Sequence, residues 1–492
     1  MLASAAWAQS LESFEKRVTR KVLDNGLTVL IVERPEAPVF SFFTHVNAGS
    51  AQEVPGITGL AHMFEHMAFK GTRTIGTSNW EAERKALAQV EDAFEAYNTE
   101  RLKIVGRDDE RLAELEKAWR EAMAAADELV ITDEFSAIID REGGVGLNAF
   151  TSNDETGYFF SMPSNRIELW AYLESERYLE PVMREFYKER DVVMEERRMR
   201  TDSNPVGKLV EQILAAAFTA HPYGQAGVGW PSDLRSFSAT DAMEFYNTYY
   251  VPSNMVVTVV GDVKAAQLMP MIERYFGRLP KKPRPAELRT VEPPQTAEKL
   301  VTLRETAQPF YIEGYHKPAS SHPDDAVYDV ISDLMSNGRT SRLYRSLVRD
   351  RKIAAAAAGF NSFPGDKYPN LFAFYAVPIP GHTNDELRDV IRAEIERLRT
   401  EDVSDEELEM VKTRAKADLI RGLASNTGLA VQFGTAQARY GDWREVFRQV
   451  DRIEKVTKED VRRVAAATFT ALNRTVGVIE STRPAAAAGG GE

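Results

Sequence analysis

Two histidines one helical turn apart, with a carboxylate between them in His62-Met63-Phe64-Glu65-His66, constrain this chain more than any other feature. On a helix, positions i, i+3 and i+4 share a face, so His62 and His66 can hold one metal ion while Glu65 stands beside it. The order inverts the commoner His-Glu-x-x-His arrangement. The carboxylate still falls next to an open coordination position, where it can take a proton from water. Gly56 to Ala61 leads into the motif and Met67 to Thr72 leaves it, which predicts a short apolar helix between a glycine turn and Gly71. In a chain with seven histidines, chance assembly of this pattern is a rare event, roughly one in a hundred or less.

A catalytic zinc site wants three protein ligands and one open position, so a distant acidic residue is expected to complete the set. The chain has no cysteine, which excludes thiolate ligands and disulfides. The best candidate stretch is Glu189-Arg190-Asp191-Val192-Val193-Met194-Glu195-Glu196, an amphipathic helical run in which Glu189 and Glu196 are two turns apart on one face. Taken alone, such an acid-rich helix reads as a solvated surface.

Together, the two motifs resemble those of the pitrilysin/insulinase metallopeptidases, the inverzincins, and especially the branch similar to mitochondrial processing peptidase. Further matches are Asn148-Ala149-Phe150-Thr151-Ser152, His221-Pro222-Tyr223-Gly224 with Gly229-Trp230-Pro231, and Tyr250-x-Pro252-Ser253-Asn254 running into Val259-Val260-Gly261-Asp262. The resemblance implies Zn2+ as cofactor, with Glu196 as third ligand beside His62 and His66, Glu189 orienting a ligand, and Glu195 as the near-miss alternative. It implies Glu65 as general base in peptide hydrolysis, and a peptide that adds as a strand along Asn148, Ala149, Phe150 and Thr151. The implied fold is α+β, two homologous lobes, each an antiparallel sheet flanked by helices. Two other readings fit the same residues: a non-catalytic assembly subunit on this fold, and a zinc amidohydrolase of a small metabolite.

Two departures from the family pattern matter. The stretch between the motifs is longer than usual by about fifty residues, which fall between Trp80 and Glu134. Leu87, Val90, Phe94 and Tyr97 form one helical stripe and Leu112, Leu115, Trp119 and Met123 another, with Gly106-Arg107-Asp108-Asp109 as the turn, so a helical hairpin is expected over 81–134. Its charge predicts a protruding arm or partner contact. The second departure concerns an Arg and a Tyr that active relatives supply from their second half. Arg349 falls at the Arg position as a substrate-binding residue, but Ala356 occupies the Tyr position. The resemblance therefore implies a heterodimer with a homologous subunit carrying the Arg/Tyr pair, or else a homodimer.

The remaining features bound the setting. A chain of 492 residues should hold two domains or more, and a formal net charge of -13 argues against a nucleic-acid partner. No stretch is long and apolar enough to span a bilayer. Ala6-Trp7-Ala8 has the small-residue pattern of a signal-peptidase site, so residues 1–14 read as a residual signal or disordered end and the expected location is periplasmic or secreted, with cytoplasmic as the alternative. A hairpin is expected at Asp24-Asn25-Gly26, an edge strand within Gly146 to Met162, and a strand over Met255 to Val260 that closes a zinc-binding lobe of 15–278. Prolines mark 279–298 as a linker. A second lobe, 299–483, repeats the plan: Phe310 to His316 matches the Phe40 strand, and Asp325 to Met335 takes the place of the metal helix, with Val330, Asp333 and Leu334 in place of His62, Glu65 and His66. The tail, 484–492, is expected to be disordered.

Overall fold

Asp24-Asn25-Gly26 forms the expected turn, with Gly26 at φ +97°, and folds β1 (Val18–Val22) back on β2 (Thr28–Glu33). These strands join β3 (Val39–Val46), β4 (Val145–Thr151), β5 (Thr156–Pro163) and β6 (Met255–Gly261) in a six-stranded sheet of order β1-β2-β6-β3-β5-β4. Gly146 to Met162 is therefore a hairpin of two strands, of which β4 is the edge. The Met255 strand lies centrally between β2 and β3 and is buried along its whole length. In the second sheet, β7 (Lys299–Glu305), β8 (Phe310–Lys317), β9 (Ala354–Phe363), β10 (Asn370–Pro378) and β11 (Arg474–Ser481) run in the order β7-β11-β8-β10-β9. Each sheet, expected to be antiparallel, carries one parallel pair, β2 with β6 and β7 with β11. The parallel partner arrives after a long excursion of the chain rather than through a hairpin, and only such a crossover permits that direction.

The computed structural model describes residues 11–482. Two compact units divide the chain, and they do not follow its order. The first takes the chain up to Glu195, then Ala226–Leu288 and Ile420–Glu445; the second takes Glu196–Gln225, Arg289–Leu419 and the chain from Val446 onward. The expected domains, 15–278 and 299–483, are thus corrected by an exchange of helices. Helix Asn426–Tyr440 lies on the first sheet, where a Cβ added to Gly434 would stand 2.7 Å from the Phe43 ring. Helix Pro205–Ala217 presses Leu209 and Ile213 onto Ile312 and Ile479 of the second unit. In both cases an apolar sheet face is covered by a helix remote in sequence, which local patterning does not reveal.

On the opposite face of the first sheet, Phe40 and Phe42 pack against Trp170 at 5.7 and 5.3 Å between ring centres. The insertion is a helical hairpin, Trp80–Arg101 and Asp109–Asp127, capped at its starts by the Asn79 and Asp108 side chains. The expectation of a protruding arm is corrected: Val90, Phe94, Trp119 and Ala126 are buried in the first unit's core. The reason is aromatic. The ring faces of Phe94, Tyr97 and Trp119 exceed what two helices can cover by themselves, and Tyr187 supplies the remaining surface.

Residues 1–10 of the expected signal remnant lie outside the described residues, as does the 484–492 tail. Leu11–Glu15 is helical, with Phe14 packed edge-on against Phe433 at 5.3 Å, which corrects the expected disorder for 11–14. The linker has no regular structure from Pro280 to Gln295, but it is pinned: the Glu292 carboxylate accepts the backbone N–H groups of Thr219, Ala220 and His221 at 2.8, 2.9 and 2.9 Å.

Before the motif helix the chain passes Gly59, at φ +99°, directly over Gly229, at φ +93°. A Cβ on Gly229 would stand 2.4 Å from the Thr58 carbonyl oxygen. Gly229→Ala should therefore cost about 2 kcal/mol or more, combining left-handed backbone strain with a backbone clash, as read by urea unfolding; a loss below half of that would show the crossing to be pliant.

Candidate metal centre

The motif helix spans Leu60–Met67, starting directly after Gly59 and ending one turn before the expected Gly71; both glycines adopt positive φ. Gly59 has no side chain with which to cap the helix. Its free N–H groups are satisfied from outside, by the Glu53 carboxylate, which accepts from Gly59 at 2.8 Å and Ala61 at 2.7 Å. Asp233 holds the preceding loop, accepting from the Gly56 and Thr58 N–H groups at 3.0 and 3.3 Å and from the Thr58 hydroxyl at 2.7 Å. At the other end, the Tyr158 hydroxyl donates to the Phe64 carbonyl at 3.3 Å and pairs with Tyr250 at 3.0 Å. Burial pushes the Tyr250 phenol up to about 12, against the pull of its hydrogen bonds with Tyr158 and Thr156. It stays neutral beneath the helix at any physiological pH.

This anchored helix presents His62, buried, and His66, partly exposed, with ring centres 5.0 Å apart and planes at 88°. Glu65, also partly exposed, lies between them in sequence on the same face. The second motif folds as the helix Phe186–Arg197. One ligand atom each from His62, His66 and Glu196 lies within 4.8 Å of the others. The boundary between the units falls at Glu195/Glu196, inside the last turn of this helix, so helical continuity ties Glu196 to the first unit. Glu195 is exposed and is not part of this group, which separates it from its neighbour.

Glu189 meets the motif helix directly. Its Oε2 is 3.2 Å from His66 Nδ1, and its Oε1 is 2.5 Å from Lys70 Nζ. Burial raises the Glu189 pKa, but hydrogen bonds with His66 and Lys70 outweigh that and hold the carboxyl below its ordinary value. Lys70 mirrors this: burial lowers its pKa, and Glu189 and Glu185 together hold it above the usual lysine range. With Nδ1 of His66 engaged by a carboxylate, Nε2 is the nitrogen left for a metal, an arrangement that fixes both tautomer and ring orientation.

The donor set fits zinc. Two imidazoles and one carboxylate, with no thiolate in the chain, make a three-ligand set of the kind found in catalytic zinc sites, and a fourth position is left for solvent or substrate. Among the described residues no other group of three such side chains could hold a metal.

The expected substrate residues divide. Asn148, Ala149, Phe150 and Thr151 lie on edge strand β4, whose Thr151 hydroxyl reaches the Ala61 carbonyl of the motif helix at 3.4 Å. Arg349 belongs to the second unit, where it is exposed and ion-paired with the adjacent Asp350 at 2.6 Å. Ala356 lies on β9, and Asp333, at the place of a base in the second lobe, pairs with Arg414 at 2.9 Å. Sequence reasoning missed Glu53. A motif helix opening on glycine, with an acid shortly before it, was the available signal.

Similarity to known proteins agrees with this geometry. Residues 28–102, which include His62, Glu65 and His66, match the family described as Insulinase (Peptidase family M16), and residues 236–415 match Peptidase M16 inactive domain. A zinc protease, PqqE, of Helicobacter pylori is 28% identical over 442 residues, covering 88% of this chain and 85% of the relative. The mitochondrial-processing peptidase subunit beta of Blastocladiella emersonii is 25% identical over 471 residues, 91% of this chain and 85% of its own. The crystal structure of a protease from Helicobacter pylori superposes with a TM-score of 0.77 at 26% identity, covering 94% of this chain and 99% of that one. The fold and site define a two-lobed α+β metallopeptidase class. The chain belongs to the insulinase family of peptidases, family M16, and its cofactor is zinc.

Burial is the main force lifting the Glu53 carboxyl to about 8, with Asp233 adding to it and the two helix N–H groups opposing it. The folded state thus holds a proton that the unfolded chain has released, so this stabilisation is complete below the ordinary 4.5 and fades as pH rises through about 8. Glu53→Gln keeps the shape without the charge. Relative to wild type the variant should gain stability as pH rises from 6 to 9; thermal midpoints whose difference stays constant across that range would contradict the assignment.

Proposed function

We propose that this chain is a zinc-dependent endopeptidase that cleaves peptides or unfolded segments, and that it works with a homologous subunit. The observation that carries the reading is the convergence of His62, His66 and Glu196, with Glu189 on the far nitrogen of His66. Bound among these three side chains, zinc supplies a Lewis acid that acidifies water and polarises a peptide carbonyl. Glu65 takes the proton from the attacking water and delivers it to the departing amine. Glu189 holds the His66 ring in one tautomer, and Lys70 keeps Glu189 ionised for that task.

Edge strand β4 supports a peptide substrate. Its outer backbone groups can pair with an extended chain of almost any sequence, and its Thr151 end abuts the motif helix. Such pairing favours peptides over small-metabolite amides. Alanine at position 356 supports a partner that provides the missing phenol, as does the likeness to a processing-peptidase subunit. The Ala6-Trp7-Ala8 pattern supports a periplasmic or secreted location.

Glu65→Gln should keep its zinc and lose cleavage by a factor of about 10² to 10⁴, the usual share of a positioned general base. Undiminished turnover would put the base elsewhere. The partner is tested separately. Peptide cleavage by the purified chain should rise about 100-fold or more when a homologous subunit bearing the Arg/Tyr pair is added, the scale of one oxyanion donor. Full activity of the chain on its own would remove the partner requirement while leaving the metal centre intact.

A further inference from the structure

Helix Phe186–Arg197 is gripped on its far side by the inserted hairpin, at four successive places. Arg184, entering the helix, pairs with Glu83 at 2.6 and 2.9 Å and donates to the carbonyls of Lys70, Thr72 and Ile75, the loop that leaves the motif helix, at 2.5, 3.0 and 3.0 Å. The Tyr187 hydroxyl donates to Glu91 at 2.6 Å, and Lys188 pairs with Asp127 at 2.7 Å. Arg190 is buried, its guanidinium facing the rings of Phe94, Trp119 and Tyr187 at 5.0, 5.5 and 4.9 Å.

The Arg190 cage is an unusual choice for packing alone. The guanidinium makes a 3.5 Å contact with the Arg235 carbonyl, and its Nε has no hydrogen-bond partner. An apolar side chain of similar volume would fill the space without burying a charge. What the cation adds is direction, because the two hairpin rings, Phe94 and Trp119, with Tyr187 of the same helix closing the cage, meet one planar group and hold the helix at a single rotation about its axis.

That rotation decides the metal centre. Glu189 and Glu196 are seven residues apart and so share a face, whereas Arg190 is turned about 100° from Glu189 toward the hairpin. A side-chain tip sits about 6 Å from the axis, so a slip of about 20° would carry both carboxylates about 2 Å, comparable with a whole zinc–oxygen bond.

We propose that the inserted hairpin is a positioning element for the third-ligand helix, with Arg190 in the cage of Phe94, Trp119 and Tyr187 setting the rotation that brings Glu189 to His66 and Glu196 to the zinc site. The proposal rests on the zinc-site reading above. None of the hairpin residues in the cage has to touch the metal. It also gives the insertion a role in place of the partner contact expected of a charged arm.

The test uses the full chain and zinc alone. Zinc affinity, measured by competition with a chromophoric chelator well below the thermal midpoint, should fall about tenfold or more in Arg190→Met, the range known for groups that orient metal ligands. The metal-free midpoint should stay near that of wild type, and Arg190→Lys, which keeps a cation among the rings, should recover part of the affinity. Unchanged affinity in Arg190→Met overturns the proposal. If that variant does not fold, Tyr187→Phe, which removes the bond to Glu91, decides instead: weakened zinc binding supports the proposal and wild-type binding overturns it. A wild-type chain that binds no zinc would instead overturn the zinc-site reading itself.

Discussion

The joint between two helices at His66 and Glu189 is the interaction on which the rest depends. The residues are 123 positions apart in the chain and 3.2 Å apart in space. One hydrogen bond performs two tasks there. It orients the imidazole, and it joins the motif helix to the helix whose later residue, Glu196, completes the donor set. Because a metal centre tolerates displacements of only tenths of an ångström, this joint needs rigid surroundings, and the surrounding structure supplies them.

Rigidity comes from polar and charged groups placed inside the fold rather than on its surface. Glu53 and Asp233 hold the loop before the motif helix, and Arg184 gathers three carbonyls of the loop after it. Lys70 closes the circuit by binding Glu185 and Glu189 together, at 3.2 and 2.5 Å. Each of these buried or half-buried groups is costly without its partners and strongly directional with them. The second unit repeats the sheet plan but not the chemistry: Asp325 to Ser336 places apolar Val330 and Leu334 in the core, where the first unit turns histidines toward a metal.

Those parts of the site that are local could be read from the sequence, and those that depend on long-range packing could not. His62, Glu65 and His66 share one helical turn, so their common face follows from periodicity alone. Glu195 and Glu196 are adjacent acids, and choosing between them requires the rotation of their helix, which is set by Phe94 and Trp119 far upstream. The hairpin itself was visible in its two apolar stripes. Its docking is not legible in the same way, because charge on the outer faces predicts a solvated arm whereas the rings of Phe94, Tyr97 and Trp119 need more cover than two helices give. The exchange of helices 205–217 and 426–440 left no local trace, since an amphipathic helix does not record which sheet it covers. The parallel strand pairs were hidden for the same reason.

The most direct test of the central claim is X-ray absorption at the zinc edge of the purified full chain. One zinc per chain is predicted, with two imidazole nitrogens at about 2.0 to 2.1 Å and oxygen donors completing the shell. Replacement of Glu196 by glutamine should alter the oxygen contribution and leave the imidazole signature in place. A chain without stoichiometric zinc, or a zinc shell lacking the paired imidazoles, would contradict the account.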